Sequence, residues 1–263
     1  MTKIRLVVSD LDGTLLNEHH GLNAAVAESI RTYIKQGGLF TIATGRNWGA
    51  TKAVADELSI RLPLILCNGG VLADRENIYY QSSLSMDALL PVLHDAQLNG
   101  LAALLFEHDR VYACGNPDGA RRFTIKEKTP CTLLPTSSTL PIDNILKVVL
   151  VGPYTASSFI WYKHIAGENE PYTTMQSEED FFEIVPRDEN KGKALLALAK
   201  QLAVVPEEIL AIGNHMNDKE MLCAAGIGAA VANSFPALLS FADYVCQKAW
   251  GEGVMEAMSQ FVY

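Results

Sequence analysis

The stretch Ile4-Arg5-Leu6-Val7-Val8-Ser9-Asp10-Leu11-Asp12-Gly13-Thr14 decides how this chain is read. Ile4 to Val8 is an apolar run of strand length, and it reads as a buried strand. Two carboxylates follow it at once. Side chains two apart on an extended backbone point the same way, so Asp10 and Asp12 can address one small site at the strand's C-terminal end. Two acids there can divide the labour: one attacks as an ionised nucleophile while the other donates or removes a proton, provided that a cation and the local environment separate their protonation. Gly13 lets the backbone turn sharply behind them. The competing reading is a solvated turn, because D-x-D-G is also a common loop composition.

Composition narrows the function class. The chain has 263 residues, 49% hydrophobic and 19% charged, enough for one large domain or two. Its formal net charge of -9 and the lack of a concentrated Lys/Arg run argue against a nucleic-acid partner. An anionic ligand then has to be held by local positive groups or a metal, because the overall field repels it. The 5 cysteines, Cys67, Cys114, Cys131, Cys223 and Cys246, are odd in number, widely spaced and nowhere C-x-x-C. They read as reduced thiols. The N-terminus runs straight into strand-like sequence without a signal peptide, and no segment approaches a membrane span, so the expectation is a cytoplasmic protein without membrane partners.

The first strand is followed by helical spacing over Leu22 to Gln36 (Val26, Ile30, Tyr33, Ile34) with a stop at Gly37-Gly38. A strand at Leu39 to Ala43, the turn Thr44-Gly45-Arg46, a helix over Trp48 to Leu58 and a strand at Leu64 to Cys67 come next, ending in Asn68-Gly69-Gly70. This alternation predicts a parallel doubly wound (Rossmann-like) α/β sheet, which collects ligands at the carboxyl ends of its strands. The pattern returns near the C-terminus. A helix over Lys191 to Leu202, a strand at Ile209 to Ile212, the turn Gly213 to Asp218 and a helix over Lys219 to Ala225 are expected there. Edge strands at Gly228 to Val231 and Tyr244 to Cys246 and a closing helix over Trp250 to Phe261 complete it. Between the two ends the texture changes. A hairpin (Ala102 to Glu107, Arg110 to Cys114), a Pro/Ser/Thr-rich loop over residues 129–141, a strand at Lys147 to Val151, a helix over residues 156–166 and a strand at Phe181 to Val185 predict an inserted α/β domain. The boundaries are 1–81 and 188–263 for the core and 82–187 for the insert.

Four elements stand together: Asp10-x-Asp12-Gly13-Thr14, Ala43-Thr44-Gly45-Arg46, Lys191 in Asn190-Lys191-Gly192-Lys193-Ala194-Leu195, and Gly213-Asn214-x-x-Asn217-Asp218. In this order, with a large insert between the second and third, they resemble the haloacid dehalogenase superfamily, specifically its Cof-type phosphatases with a large α/β cap. The resemblance implies a phosphatase for small phosphorylated metabolites such as sugar phosphates, nucleotides or phosphorylated cofactors. By it, Asp10 is the nucleophile that forms an aspartyl-phosphate. Asp12 is the acid that protonates the leaving group and then activates water. Lys191 neutralises charge on the nucleophile and phosphoryl group, although the start of a helix is a poor place for a cation. Mg²⁺ is the implied cofactor, held by Asp10, the backbone carbonyl of Asp12, Asn214 and Asp218.

Thr44 offers a hydroxyl and a backbone N–H at a helix entrance, suited to a phosphate oxygen or to an ordinary N-cap. The expected substrate set is Thr44, Gly45, Arg46, Asn68, Lys191 and Asn217, with Arg46 open between assisting the phosphate and a surface charge. Asn233 also matches a position beside the phosphate site. Lys193 and His215 read as solvated, and His19-His20 lacks a third ligand for zinc. The chain departs from the family at Asn214, where aspartate is usual. One unit charge at ~4 Å is worth roughly 4 kcal/mol at an effective dielectric near 20, so the expectation is weaker metal affinity. Alternatives are phosphoryl transfer to another sugar position, as in related phosphomutases, and a degenerate ligand-binding or regulatory module. Glu183 and Arg187, close to the return into the core, are candidates for contact with the non-phosphate part of the substrate.

Overall fold

A computed structural model describes residues 3–127, 129–134, 144–164, 171–178 and 180–262. It divides into two compact units, one of Met1–Arg46, Thr51–Tyr80 and Asn190–Tyr263, the other of Asn47–Ala50 and Gln81–Glu189.

The first unit carries a parallel sheet. Its strands are β1 (Leu6–Ser9), β2 (Leu39–Ile42), β12 (Ile209–Gly213), β13 (Ile227–Ala230) and β14 (Tyr244–Val245), in the order β14-β13-β12-β1-β2. Register fixes what lies at their ends. Ser9 pairs with Ile212 on one side and Ile42 on the other, so Asp10, Gly213 and Ala43 leave the sheet at one level. Leu6, Val8, Ile209 and Ala211 pack against α6 (Lys191–Gln201) and α7 (Lys219–Ala224) through Leu195, Leu198, Met221 and Leu222. In α6 the apolar residues Ala194, Leu195, Leu198 and Ala199 recur at helical spacing and are buried. Asn190 caps that helix, its side chain accepting the Lys193 N–H at 2.8 Å. Helix α1 (Ala24–Lys35) is capped by Asn23, and the chain leaves it through Gln36 and Gly37, the latter at φ +90°.

One expectation needs correction. Leu64–Leu66 (β3) does not continue the parallel sheet as a full strand. A single parallel bridge, Ala43 to Ile65, ties it to the end of β2, and it belongs to a sheet in the order β3-β4-β5 with Val71–Ala73 (β4) and Ile78–Gln81 (β5). The cause is local: Cys67 and Asn68 adopt φ of +50° and +56°, which turns the chain back antiparallel at once.

The second unit is a sheet in the order β10-β11-β9-β6-β7-β8, with β6 at Ala102–Phe106, β7 at Val111–Gly115, β8 at Thr132–Leu133, β9 at Lys147–Val151, β10 at Tyr172–Glu178 and β11 at Phe181–Pro186. Alternation sorts its faces. Ala103, Leu105, Val148 and Leu150 meet α3 (Met86–Leu98) and α5 (Tyr154–His164), whereas Ala102, Leu104, Val149 and Val151 meet α4 (Pro117–Glu127). Thr132–Leu133, expected as loop, pairs parallel with β7; residues 135–141 of that loop and 165–166 of the expected helix lie outside the described residues. Helices α3 and α4 and strands β4, β5 and β10 were not foreseen. Glu183 and Arg187 serve the unit internally: Lys147 Nζ donates to Glu183 Oε2 at 3.0 Å, and Arg187 Nη2 donates to the Tyr172 carbonyl at 3.1 Å. Asn47–Ala50 group with this unit because Asn47 Nδ2 donates to the Glu107 carbonyl and Trp48 stacks on His108. All five cysteines are free thiols. Among the described residues no helix is long and apolar enough to cross a membrane.

Candidate active site

Asp10 continues the β1 ladder, its N–H donating to the Ile212 carbonyl at 2.8 Å. Its carboxylate Oδ1 accepts from Lys191 Nζ at 2.6 Å, and the same ammonium donates to Asp218 Oδ1 at 2.6 Å. Lys191 is fully buried, as is Asp218. Burial alone would strip the lysine proton, but the two carboxylates outweigh it and hold the ammonium above the ordinary lysine value. Asp10 is pushed upward, first by burial and then by the charge of Asp218, against the pull of Lys191. Two buried carboxylates thus share one cation.

Asp12 has a different environment. Arg46 grips it as a fork, Nε donating to Oδ2 at 2.8 Å and Nη2 to Oδ1, and His20 Nδ1 lies 3.0 Å from Oδ1. Burial pushes this carboxyl up, but hydrogen bonding and charge from Arg46 and His20 prevail and hold it below the ordinary aspartate value. The two acids of one loop are therefore driven in opposite directions. Arg46, left open by the sequence between phosphate and surface, is the partner of Asp12.

Thr44 is buried, and two expectations about it change. Its N–H is taken by the Ile65 carbonyl at 2.8 Å, and helix α2 begins only at Trp48 (Trp48–Glu57). Its Oγ1 accepts the Arg46 N–H at 3.1 Å, which leaves the hydroxyl hydrogen as its donor toward a ligand. Asn68 donates its N–H to the Thr44 carbonyl at 3.0 Å and accepts from Asn217 Nδ2 at 2.9 Å on Oδ1. A Cβ on Gly45 would sit 3.2 Å from that Oδ1. Thr44, Gly45, Asn68 and Asn217 thereby form one stitched rim, while Lys193 and His215 are exposed, as expected.

Asn214 folds back onto the D-x-D-G turn. Its Oδ1 accepts from Thr14 Oγ1 at 3.0 Å, and its amide occupies the space that a Cβ on Gly13 would need. Gly13, at φ +76°, has to be glycine for both reasons. Asn233 holds the same turn, Nδ2 donating to the Gly13 carbonyl at 2.8 Å while Oδ1 accepts the Trp250 N–H at 2.9 Å. Asp218 Oδ2 accepts the N–H groups of Asn214 at 2.9 Å and His215 at 3.0 Å. Its Oδ1 accepts from Lys191, so Asp218 braces its own turn and the lysine at once.

Among the described residues no group of three or more His, Cys, Asp or Glu side chains is placed to hold a metal ion by itself. The donors of the expected set, the Asp10 and Asp218 carboxylates, the Asp12 carbonyl and Asn214 Oδ1, are all oxygen. An all-oxygen set fits a hard divalent cation such as Mg²⁺.

His20 was missed. The sequence shows only a His-His pair eight residues beyond Asp12; what carries the ring back is a loop closed by Asn17, a contact that spacing alone does not reveal.

The family described as haloacid dehalogenase-like hydrolase matches residues 7–258. Phosphatase YwpJ of Bacillus subtilis is 28% identical, with 98% of this chain and 100% of that protein covered. An HMP-PP phosphatase of Yersinia enterocolitica is also 28% identical, over 89% of this chain and 86% of the relative. The crystal structure of a haloacid dehalogenase-like hydrolase from Bacteroides thetaiotaomicron superposes with a TM-score of 0.88 at 25% identity, covering 98% of this chain and 99% of that one.

Proposed function

Since the chain belongs to the haloacid dehalogenase-like hydrolase family, we propose that this phosphatase hydrolyses small phosphate monoesters through a phosphoryl group carried briefly on Asp10. The observation that carries the reading is the pair of opposed carboxyl environments: Asp10 on the buried Lys191–Asp218 pair, Asp12 on Arg46 and His20.

In the first step an Asp10 oxygen attacks phosphorus while the bond to the leaving oxygen breaks, and Asp12 supplies the proton which that oxygen needs. Lys191 lies against the nucleophile, where it offsets the charge that gathers during transfer. Asp12 then takes a proton from water, and the hydroxide so formed cleaves the phosphorus–oxygen bond to Asp10, releasing phosphate and restoring the carboxylate. Arg46 holds Asp12 ionised, so exchange of the guanidinium from Asp12 to a phosphate oxygen is what frees the carboxyl to carry a proton. Thr44 donates its hydroxyl hydrogen to the phosphate, on a rim kept rigid by Asn68 and Asn217. Asp10, the Asp12 carbonyl, Asn214 and Asp218 would hold Mg²⁺, which would supply charge neutralisation at the phosphate. The inserted unit acts as the cap domain, and the enzyme works in the cytoplasm.

The test is phosphate release from a panel of small phosphate monoesters, with Mg²⁺ and with EDTA, using Asp10→Asn as the blank. Release that needs Mg²⁺, needs no added acceptor and vanishes in the blank upholds the proposal. Release surviving in Asp10→Asn overturns it.

A further inference from the structure

The segment Asn17–Gly21 closes on itself. Asn17 Oδ1 accepts the N–H of His19 at 3.0 Å and of Gly21 at 2.9 Å, the Asn17 N–H donates to the Gly21 carbonyl at 3.0 Å, and the Asn17 carbonyl accepts the His20 N–H at 2.9 Å. Inside this ring of hydrogen bonds His20 adopts φ +56°, a left-handed conformation that His and Asn enter more readily than most residues. That backbone aims the imidazole at the D-x-D-G turn. Nδ1 comes to 3.0 Å from Asp12 Oδ1 and 3.1 Å from Arg46 Nη2. His19, its neighbour, points away: its side chain is 85% exposed against 32% for His20.

Arg46 and Asp12 have conflicting duties. The guanidinium holds both carboxylate oxygens, and N–H groups spent there are not available to a phosphate. Once they turn to the phosphate, a carboxylate gripped by Arg46 alone is free to rotate, at the step in which it has to face the leaving oxygen. We infer that His20 is a positioning residue for Asp12: it donates from Nδ1 to Oδ1 and keeps the carboxylate in place while Arg46 serves the phosphate. Oδ2, the oxygen that Arg46 Nε releases, is then the one that carries the proton to the leaving group. Neutral imidazole suffices for this, since one N–H is all that the contact needs. The inference rests on the phosphatase reading above.

The experiment measures kcat and KM of the full chain for p-nitrophenyl phosphate with saturating Mg²⁺, in wild type, His20→Gly, His20→Asn and His20→Asp. Glycine accepts the left-handed backbone and removes the ring. Asparagine keeps the backbone preference and returns an N–H donor close to the Nδ1 position. His20→Gly is expected to lower kcat about tenfold, the rate equivalent of one hydrogen bond to a charged group, with KM changed by less than about twofold. His20→Asn is expected to recover most of that loss. If His20→Gly fails to fold, the near-isosteric pair decides: His20→Asn active and His20→Asp, which cannot donate, impaired at least as much as the glycine variant was to be. A kcat of His20→Gly within about twofold of wild type, a loss confined to KM, or asparagine and aspartate variants of equal kcat overturns the inference. Wild type and Asp10→Asn separate the two levels. Wild type active and Asp10→Asn silent upholds the phosphatase reading whatever the His20 variants do, and a wild type that releases phosphate from neither p-nitrophenyl phosphate nor any ester of the panel removes both.

Discussion

Lys191 Nζ lies 2.6 Å from Asp10 Oδ1 although 181 residues separate the two in the chain. The contact is possible because α6 packs its Leu195 and Leu198 against the same strands whose ends deliver Asp10 and Gly213. It sets a buried ammonium between two buried carboxylates, so structure and chemistry depend on it together.

Replacing Lys191 by methionine leaves Asp10 and Asp218 facing each other without a counter-ion. Removing one partner of a buried ion pair typically costs about 3–5 kcal/mol. Lys191→Met is therefore expected to abolish phosphate release and to lower the urea midpoint markedly. The double variant Lys191→Met/Asp218→Asn should regain part of the stability and none of the activity, both read from urea unfolding and phosphate assays.

Asn214 bears on the cation. Changing it to aspartate adds one negative charge beside the donors, worth roughly 4 kcal/mol at ~4 Å and an effective dielectric near 20 before desolvation is subtracted. Asn214→Asp should bind Mg²⁺ at least about tenfold more tightly, as judged by isothermal titration calorimetry. Indistinguishable isotherms would remove the charge argument. Because Oδ1 persists, the Thr14 hydrogen bond remains in the variant.

Asn233 joins the Gly13 carbonyl to the start of α8 (Trp250–Phe261) through its two side-chain hydrogen bonds. Asn233→Ala leaves both partners to water, at a cost of about 1–2 kcal/mol. The expected outcome is a melting temperature lower by several degrees together with a lower kcat, since the turn that carries Asp12 loosens. A variant with wild-type kcat and a lowered melting temperature would assign Asn233 to stability alone.

Acid acts on the second unit at Asp95, which accepts from Lys163 Nζ and, at 2.6 Å, from His164 Nε2. The hydrogen bond from Lys163 and that from His164 outweigh burial and lower its carboxyl to about 2. A carboxyl depressed on folding stabilises the protein above its unfolded pKa, near 3.9, and that contribution is lost as pH falls toward 2. Thermal melts should show wild type above Asp95→Asn at pH 5 to 6, with the two curves converging between about pH 4 and 2. A gap that stays constant down to pH 2 would refute the assignment.

Much of this was legible from residues in order. The apolar run before Asp10, the spacing of Leu195 and Leu198 and the turns at Thr44–Arg46 and Gly213–Asp218 are local signals, and local periodicity reports local backbone. Trp250–Phe261 and Lys147–Val151 form with the ends that their spacing implies. The return of β3 into β4 was hidden because it depends on two non-glycine residues at positive φ, which composition does not advertise.

Side-chain partners were the least accessible. From its motif alone Asp218 reads as a metal ligand, and only the folded turn reveals the two N–H groups and the ammonium that its oxygens also accept. Arg46 and His20 meet Asp12 across separations of 34 and 8 residues.

What the order of residues determined by itself was the class of fold and the inventory of acids, lysine and turn glycines, since hydrophobic periodicity and backbone preference act over a few neighbours at a time. Which acid sits on which cation was decided only by tertiary structure. Burial and charge act through space, and the distances between groups far apart in the chain exist only once the strands are in register.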